Sequence, residues 1–431
     1  MITQPFWKRR RDAAEAPFAR PLFFLALFLA ATLGILSSAI YVPAIPAIAR
    51  SFGVSVAAVE LTFAAYLLAF ASSMLVLGPL SDRCGRRPVL FIGLAVFVAG
   101  NALAATSPDI GTLIAARVIQ GLGAASGIVV GRATIRDLYS REEAAKVFAG
   151  LGLVMTFLQG SAPILGGRVL VAWGWRAEFA LMMIFAAAAC ALAIAVFPET
   201  IRKGTRAGEG FVRSYLELAK KRGFVVYALA AAGAHAGFHV FSAGAPALLI
   251  VHFGIAPQDY GLYAALPAVG FIAGSFLSNR LACRFGIDRL IGLGCAVLVP
   301  AGMLMLAFAC FGIGGALGIV LPMMLFCCGS GLVTPNAIAG SLSADCGKAG
   351  AASSLLSFVQ MAGAGGATAG LAFATKGSGL LLAAIIAVLG LVALGAFAAL
   401  APAGGAKAKR RPRALLLFPA EVCGSNAETG E

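Results

Sequence analysis

About twelve stretches of this sequence are apolar for long enough to cross a bilayer, which takes roughly 20 residues of helix. They run approximately over 21–42, 57–78, 88–105, 110–132, 144–171, 176–197, 224–251, 259–281, 288–311, 314–335, 349–374 and 378–400. Hydrocarbon offers no hydrogen bonds, so a spanning backbone must satisfy its own N–H and C=O groups, as only helices and closed barrels do. The runs predict an all-α membrane protein of twelve transmembrane helices. Only 12% of the 431 residues are charged, where a soluble domain carries about 25%.

The net charge of +15 would suggest nucleic acid in a soluble chain. Its placement points to a lipid bilayer as the partner instead. Lys and Arg collect at Lys8–Arg11, Arg83–Arg87, Arg132–Lys146, Arg202–Arg222, Arg280–Arg289 and Lys407–Arg413. Those are the N-terminus, alternate connections and the C-terminus. The intervening connections hold few: Arg50, Arg168 or Arg176 near the end of a run, and Lys376. Positive charge stays on the cytoplasmic side, so both termini are expected there. The basic lead imitates a signal peptide, but the run after it is too long, so a retained first helix is expected. The nine cysteines lie almost entirely in runs or cytoplasmic connections, and no structural disulfide is expected.

The second and third runs are joined by Gly78-Pro79-Leu80-Ser81-Asp82-Arg83-Cys84-Gly85-Arg86-Arg87-Pro88. A tight turn there would hold one acid, three arginines and two glycines. Gly85 suits a turn with no room for a side chain. Asp82, beside Arg83, Arg86 and Arg87, can bind a guanidinium at close range. The pattern G-x-L-S-D-R-x-G-R-R resembles the signature of the major facilitator superfamily, at the cytoplasmic turn between its second and third helices. That resemblance implies two pseudo-symmetric six-helix bundles around a central cavity, and alternating-access transport of a small molecule. In it Gly78, Asp82, Arg83, Gly85, Arg86 and Arg87, with Arg136 and Asp137 of the next cytoplasmic connection, form a conformational latch.

Further strings extend the resemblance over about residues 20–400. Tyr41-Val42-Pro43-Ala44-Ile45-Pro46 ends the first run, where two prolines stop or kink a helix. The segment is similar to one in the Bcr/CflA branch of drug exporters, which would hang Tyr41 at the outer mouth of the cavity; an interfacial belt tyrosine is the alternative. The string Arg132-Ala133-Thr134-Ile135-Arg136-Asp137-Leu138-Tyr139 resembles the same branch. In the fourth run Arg117 and Gln120 fall in an R-x-x-Q-G pattern that looks like a family motif linked to proton transfer. A guanidinium at membrane depth faces a wet cavity or a partner; the other reading is snorkelling or a structural salt bridge, with Asp109 some two turns away. Gly123, Gly127 and Gly131 put small residues on one face of the same helix. The fifth run carries Gly160, Pro163, Gly166 and Gly167, which resemble the antiporter motif and suit a hinge or close packing.

Pro198, Glu199 and a Lys/Arg-rich segment break the hydropathy near the middle of the chain. The expected organisation is a cytoplasmic lead (1–20), a first bundle (21–197), a cytoplasmic linker (198–222), a second bundle (223–402) and a cytoplasmic basic, polar tail (403–431) expected to be disordered. The second half holds a degenerate echo of the charged motif, Gly274-Ser275-Phe276-Leu277-Ser278-Asn279-Arg280, then Arg284 and Gly286. Repeats of this kind mark two-repeat transporters.

Proton-driven exporters of the branch commonly keep an acid in the first helix, just before the Tyr-x-Pro. Here that stretch reads Ser37-Ser38-Ala39-Ile40. No carboxylate is expected in mid-span, and Glu60, Glu178 and Asp259 are expected near outer helix ends. Coupling candidates are His235 and His239, which share a helix face at i, i+4, and Glu60, each acting with Arg117 and Gln120. A neutral, mutually satisfied histidine pair is the alternative, and two ligands are too few for a metal. Cavity candidates are Tyr41, Tyr66, Gln159, His239, Phe241 and Gln360, as polar or aromatic groups within runs. No H-E-x-x-H, nucleophile elbow or P-loop is present. The expectation is a monomeric exporter of small amphipathic drugs in a bacterial inner membrane. It would use no cofactor and draw energy from a proton gradient; a same-fold importer or uncoupled facilitator is the competitor.

Overall fold

A computed structural model describes residues 19–201, 211–343, 349–374 and 379–400. Most of the basic lead, residues 202–210 of the linker, Lys376 and the tail lie outside the described residues. Within them all regular structure is helical, and twelve segments are long and apolar enough to cross a membrane.

The first crossing is longer than the sequence pattern predicts. Helix α1 (Ala19–Tyr41) tightens into a 3-10 turn at Val42–Ala44 and resumes as α2 (Ile45–Phe52). Pro43 and Pro46 each stand in the first turn of a helical piece. A missing N–H costs nothing there, so the prolines bend the path without ending it. Gly53, at φ 65°, closes α2.

The charged motif is also helical where a turn was expected. Helix α3 (Val56–Cys84) carries Asp82 and Arg83 in its last turn, and α4 (Arg86–Ala105) begins two residues after Cys84. Gly85 alone makes the corner, at φ 99° and ψ 155°. Only glycine occupies that region without strain. The corner recurs in the second half. Helix α10 (Pro257–Phe285) meets α11 (Ile287–Phe311) through Gly286 alone, at φ 77° and ψ 164°.

The remaining elements are α5 (Ile110–Leu138), α6 (Arg141–Trp173), α7 (Arg176–Val196), α8 (Phe211–Ala219), α9 (Arg222–Pro246), α12 (Gly315–Ser343), α13 (Ala349–Ala374) and α14 (Gly379–Leu400). A π-helical turn, Ala247–His252, prolongs α9. Asp109 caps α5, its carboxylate accepting the Thr112 N–H at 2.8 Å, and this bond holds the carboxyl below its ordinary pKa. Ser140 and Glu143 form a capping box at the start of α6. Helix α8 lies inside the segment expected to be a plain linker.

The two halves repeat one packing scheme. Helices α3 and α4 pack on α5, as α10 and α11 pack on α12; α1 packs on α5, α6 and α7, as α9 packs on α12, α13 and α14. The bundles meet mainly where α3 lies on α13 and α6 on α10. Close approach depends on small residues, since lipid supplies no hydrophobic drive between helices. The α5 glycines serve two neighbours rather than one. Gly127 lies against the Ala30 carbonyl and Gly131 against the Leu27 side chain of α1, whereas Gly123 abuts Phe97 and Gly93 of α4. A spacing of four drifts about 40° round a helix per step, so the stripe turns from one partner to the next.

Candidate functional site

Polar clusters interrupt the apolar helices, and among the described residues three of them gather the expected site residues. The most buried surrounds Arg117 of α5, a fully covered guanidinium. Its Nη1 donates to Gln120 Oε1. Gln120 Nε2 in turn donates to Ser37 Oγ of α1 at 2.7 Å and to Asn101 Oδ1 of α4 at 2.6 Å. Tyr41 and Tyr66 offer their ring faces to the guanidinium, with Cζ 4.4 Å and 4.2 Å from the two centroids. A desolvated cation–π contact is worth up to about 2 kcal/mol, which offsets part of the cost of burying the charge. Tyr41 shares a hydrogen bond with Thr62 at 2.6 Å, and Tyr66 donates to the Gly34 carbonyl at 2.7 Å.

The salt bridge between Arg117 and Asp109 that spacing allowed does not form, because Asp109 is engaged by Thr112 at the head of α5. Glu178, in the first turn of α7, is a carboxylate whose charge acts on Arg117. Glu178 is only 1% exposed, and neither of its oxygens has a hydrogen-bond partner. The sequence places Glu178 near an outer helix end and gives no sign of its burial. It does lie in a first turn, but α1 and α4 pack over α7 and bury it. The Trp173-Gly174-Trp175-Arg176 corner marks that helix start in the sequence, and it was the one signal available.

The second cluster lies between the bundles. Two small cavities, of about 20 and 40 Å³, share Ser38 of α1, Gln159 of α6 and His239 of α9. Phe241 and Tyr260 line one, and Tyr66, His235 and Met361 the other. Both halves of the chain therefore supply the walls. His235 and His239 are hydrogen-bonded through their Nε2 atoms at 3.1 Å, and the His239 and Phe63 ring centroids lie 6.3 Å apart. Gln159, His239, Phe241 and Tyr66 thus come together. Tyr41, expected at the cavity mouth, does not: Arg117 and Thr62 hold it inside the first bundle, 1% exposed. Gln360 and Glu60 are buried but line neither cavity. Among the described residues no three His, Cys, Asp or Glu side chains converge on a metal geometry.

The glycines of α6 fill the interface beside these cavities. Gly160 faces the Ala268 methyl, Gly166 the Ile40 carbonyl and Gly167 the Pro257 carbonyl. Helix α6 runs through Pro163 without a break.

The third cluster sits at the end of the molecule where the basic connections meet. Arg86 pairs with Asp82 at 2.6 Å and with Asp137 at 3.1 Å, and donates to Ser81 Oγ at 2.6 Å. Glu199, after α7, accepts the backbone N–H groups of Arg86 and Arg87 at 3.0 and 3.1 Å. Thr200 donates to Asp137 at 2.6 Å. Gly78, Asp82, Arg86, Arg136 and Asp137 line one cavity of about 240 Å³ with Arg132, Tyr215 and the start of α13. Arg83 is exposed and Arg87 turns to the Ile194 carbonyl, so neither lines that cavity. Tyr215 of α8 donates to the Leu75 carbonyl of α3, and burial raises its phenol above the ordinary pKa. The roles of Glu199, Thr200 and Tyr215 had no signal in the sequence, since each depends on a contact between distant segments.

Comparison with known proteins gives this arrangement a context. The profile described as Major Facilitator Superfamily matches residues 27–371. The "Multidrug resistance protein D" of Escherichia coli (strain K12) is 32% identical over 343 residues, covering 79% of this chain and 86% of that one. The "Chloramphenicol resistance protein" of Pseudomonas aeruginosa is 32% identical over 301 residues, 69% of this chain and 71% of its own. Among solved structures, a D-xylose-proton symporter superposes with a TM-score of 0.70 at 15% identity, over 88% of this chain and 97% of that one. At that identity the likeness concerns the fold.

Proposed function

Because the chain belongs to the Major Facilitator Superfamily, we propose that it is a proton-coupled exporter of small amphipathic drugs, of the Bcr/CflA type, working by alternating access in a bacterial inner membrane. The observation that carries this reading is the pair of central cavities walled by α1, α3 and α6 of one half and α9, α10 and α13 of the other. A site shared between two bundles opens to one side or the other as the bundles rock. Its walls are apolar and aromatic with a few polar groups, among them Gln159, Ser38 and His239, which suits amphipathic ligands. The names of the two relatives point to drug resistance.

In this reading residues 21–197 and 223–402 are the two moving bundles, joined by the 198–222 linker, with both termini cytoplasmic and one chain as the working unit. The Asp82–Arg86–Asp137 cluster is the cytoplasmic latch, and its ion pairs bias the two states. The Gly160, Gly166 and Gly167 contacts let α6 slide against α10 and the end of α1. Arg117 and Gln120 belong to the coupling machinery, and His235, His239 and Glu60 are the titratable groups that the sequence offers beside them.

One observation favours a same-fold importer or uncoupled facilitator: Ser37 and Ser38 stand where the branch carries an acid. The separating experiment is expression in a pump-deficient bacterium, reading chloramphenicol and ethidium accumulation with and without an uncoupler. The proposal expects lower accumulation in expressing cells and loss of that difference when the gradient collapses. Unchanged accumulation of every drug in a panel refutes drug export, and a difference that survives the uncoupler refutes coupling.

A further inference from the structure

The reading of proton coupling leaves the chain without a carboxylate in its first helix, and the fold offers another. We propose that Glu178 carries the coupling proton, with Arg117 as the countercharge that governs its release. This rests on the proposed proton-coupled transport.

Glu178 and Arg117 are both buried to 1% exposure or less in one bundle, and Tyr41 lies between their surroundings, its ring 4.4 Å from the Arg117 Cζ and 5.9 Å from the ring of Phe179, the residue after Glu178. Each has unused polar atoms: both oxygens of Glu178, and Nε and Nη2 of Arg117. An unsatisfied buried polar group is costly, and a structural ion pair would have closed these valences. Two arrangements are open to the pair. In one, Glu178 is a neutral acid, and Arg117 rests on Gln120 and the faces of Tyr41 and Tyr66. In the other, Glu178 has given up its proton, and the free N–H groups of Arg117 turn to the carboxylate. The step is proton transfer alone. The Glu178 O–H bond breaks, the proton passes to water on the side then open, and it is replaced from water on the other side.

The neighbours of Glu178 leave the role to this pair. Arg117 of α5 and Tyr41 at the end of α1 are the groups that interact with it electrostatically. Helix α4 contributes the neutral Asn101 to the same network, and α6 exposes Arg168 to the outside. Arg176, on the same helix, is turned to the Ser107 carbonyl at 2.9 Å. The arrangement also reaches the cavity. Gln120, which holds Arg117, donates to Ser37, and the next residue, Ser38, lines both central cavities. Movement of Arg117 toward Glu178 pulls on that chain and so on the cavity wall.

The test begins on the full wild-type chain in liposomes, with a hydrophobic carbodiimide that modifies protonated carboxyls in apolar surroundings, read by peptide mass spectrometry. Labelling of Glu178 is expected to fall at least about fivefold between about pH 5.5 and about pH 8.5, and R117Q is expected to extend labelling to higher pH. Absent or pH-independent labelling overturns the proposal. An R117Q profile identical to wild type overturns the countercharge role. In the second arm, ethidium transport is measured with an imposed pH gradient and by gradient-free exchange. The expected E178Q phenotype is loss of gradient-driven transport, by about tenfold or more, with exchange retained and partial recovery in E178D. Equal gradient-driven transport by wild type and E178Q overturns the proposal and leaves the coupled reading standing. Wild-type ethidium transport that ignores the gradient overturns the coupled reading and the proposal with it. Should E178Q fail to fold, the labelling arm decides.

Discussion

Replacing Gly85 by alanine tests both the corner geometry and the Glu199 contact, and Gly286 is a control within the same chain. Both glycines occupy the same backbone region, at φ 99° and 77°. A Cβ in that region costs about 1–3 kcal/mol of strain at either site. The surroundings differ. At Gly85 the added carbon would lie 2.7 Å from Glu199 Oε2 and 3.2 Å from its Cδ, whereas at Gly286 nothing lies within 4 Å. Glu199 must then leave the two N–H groups it caps at the head of α4, a loss of about 1 kcal/mol for an exposed cap. The expected costs are about 2–4 kcal/mol for G85A and about 1–3 kcal/mol for G286A, with a gap of about 1 kcal/mol. Equilibrium unfolding in mixed micelles titrated with dodecyl sulfate measures both. The gap should vanish in an E199A background, where no cap remains to be displaced. A G85A cost below about 0.5 kcal/mol refutes the strain argument. Equal costs in the wild-type background refute the Glu199 contact.

The remaining predictions concern the latch, the helix contacts and the cavity. The Arg86 side chain is 8% exposed and that of Asp82 50%, so R86A is expected to cost about 3 kcal/mol and D82N under about 1 kcal/mol in the same micelle assay. Comparable losses would refute the view that Arg86 organises the cluster. G127A pushes a methyl into the Ala30 carbonyl and should cost about 1–3 kcal/mol, whereas G370A, with open space at its Cβ position, should be neutral or slightly stabilising. Q159A removes a polar group common to both cavities. Apparent drug affinity in efflux assays is expected to fall about fivefold at unchanged protein level, for the loss of one hydrogen bond of about 1 kcal/mol.

Much of the fold is legible without coordinates, because hydropathy acts locally. Apolar runs must cross and basic segments must stay out, so the twelve crossings fall close to where the runs do. The errors occur where polar groups are satisfied by helix ends: the helix continues through Asp82 and Arg83, and the first crossing passes Pro43 and Pro46. Within the candidate sites, Asp137 beside Arg86 and the His235–His239 contact follow from motif and spacing. Tyr41 went astray because a tyrosine near a helix end looks the same whether it meets water or a guanidinium.

What the sequence determines here is the sorting of segments between lipid and water, and the two glycine corners that only one residue type tolerates. The tertiary structure alone decides who meets Arg117. Apart from Gln120, three residues on in the same helix, its neighbours Tyr41, Tyr66 and Glu178 come from three other helices. A buried charge takes its partners from whatever packs against it, and packing in lipid follows small-residue contacts such as Gly127 on Ala30, which act between segments far apart in the chain.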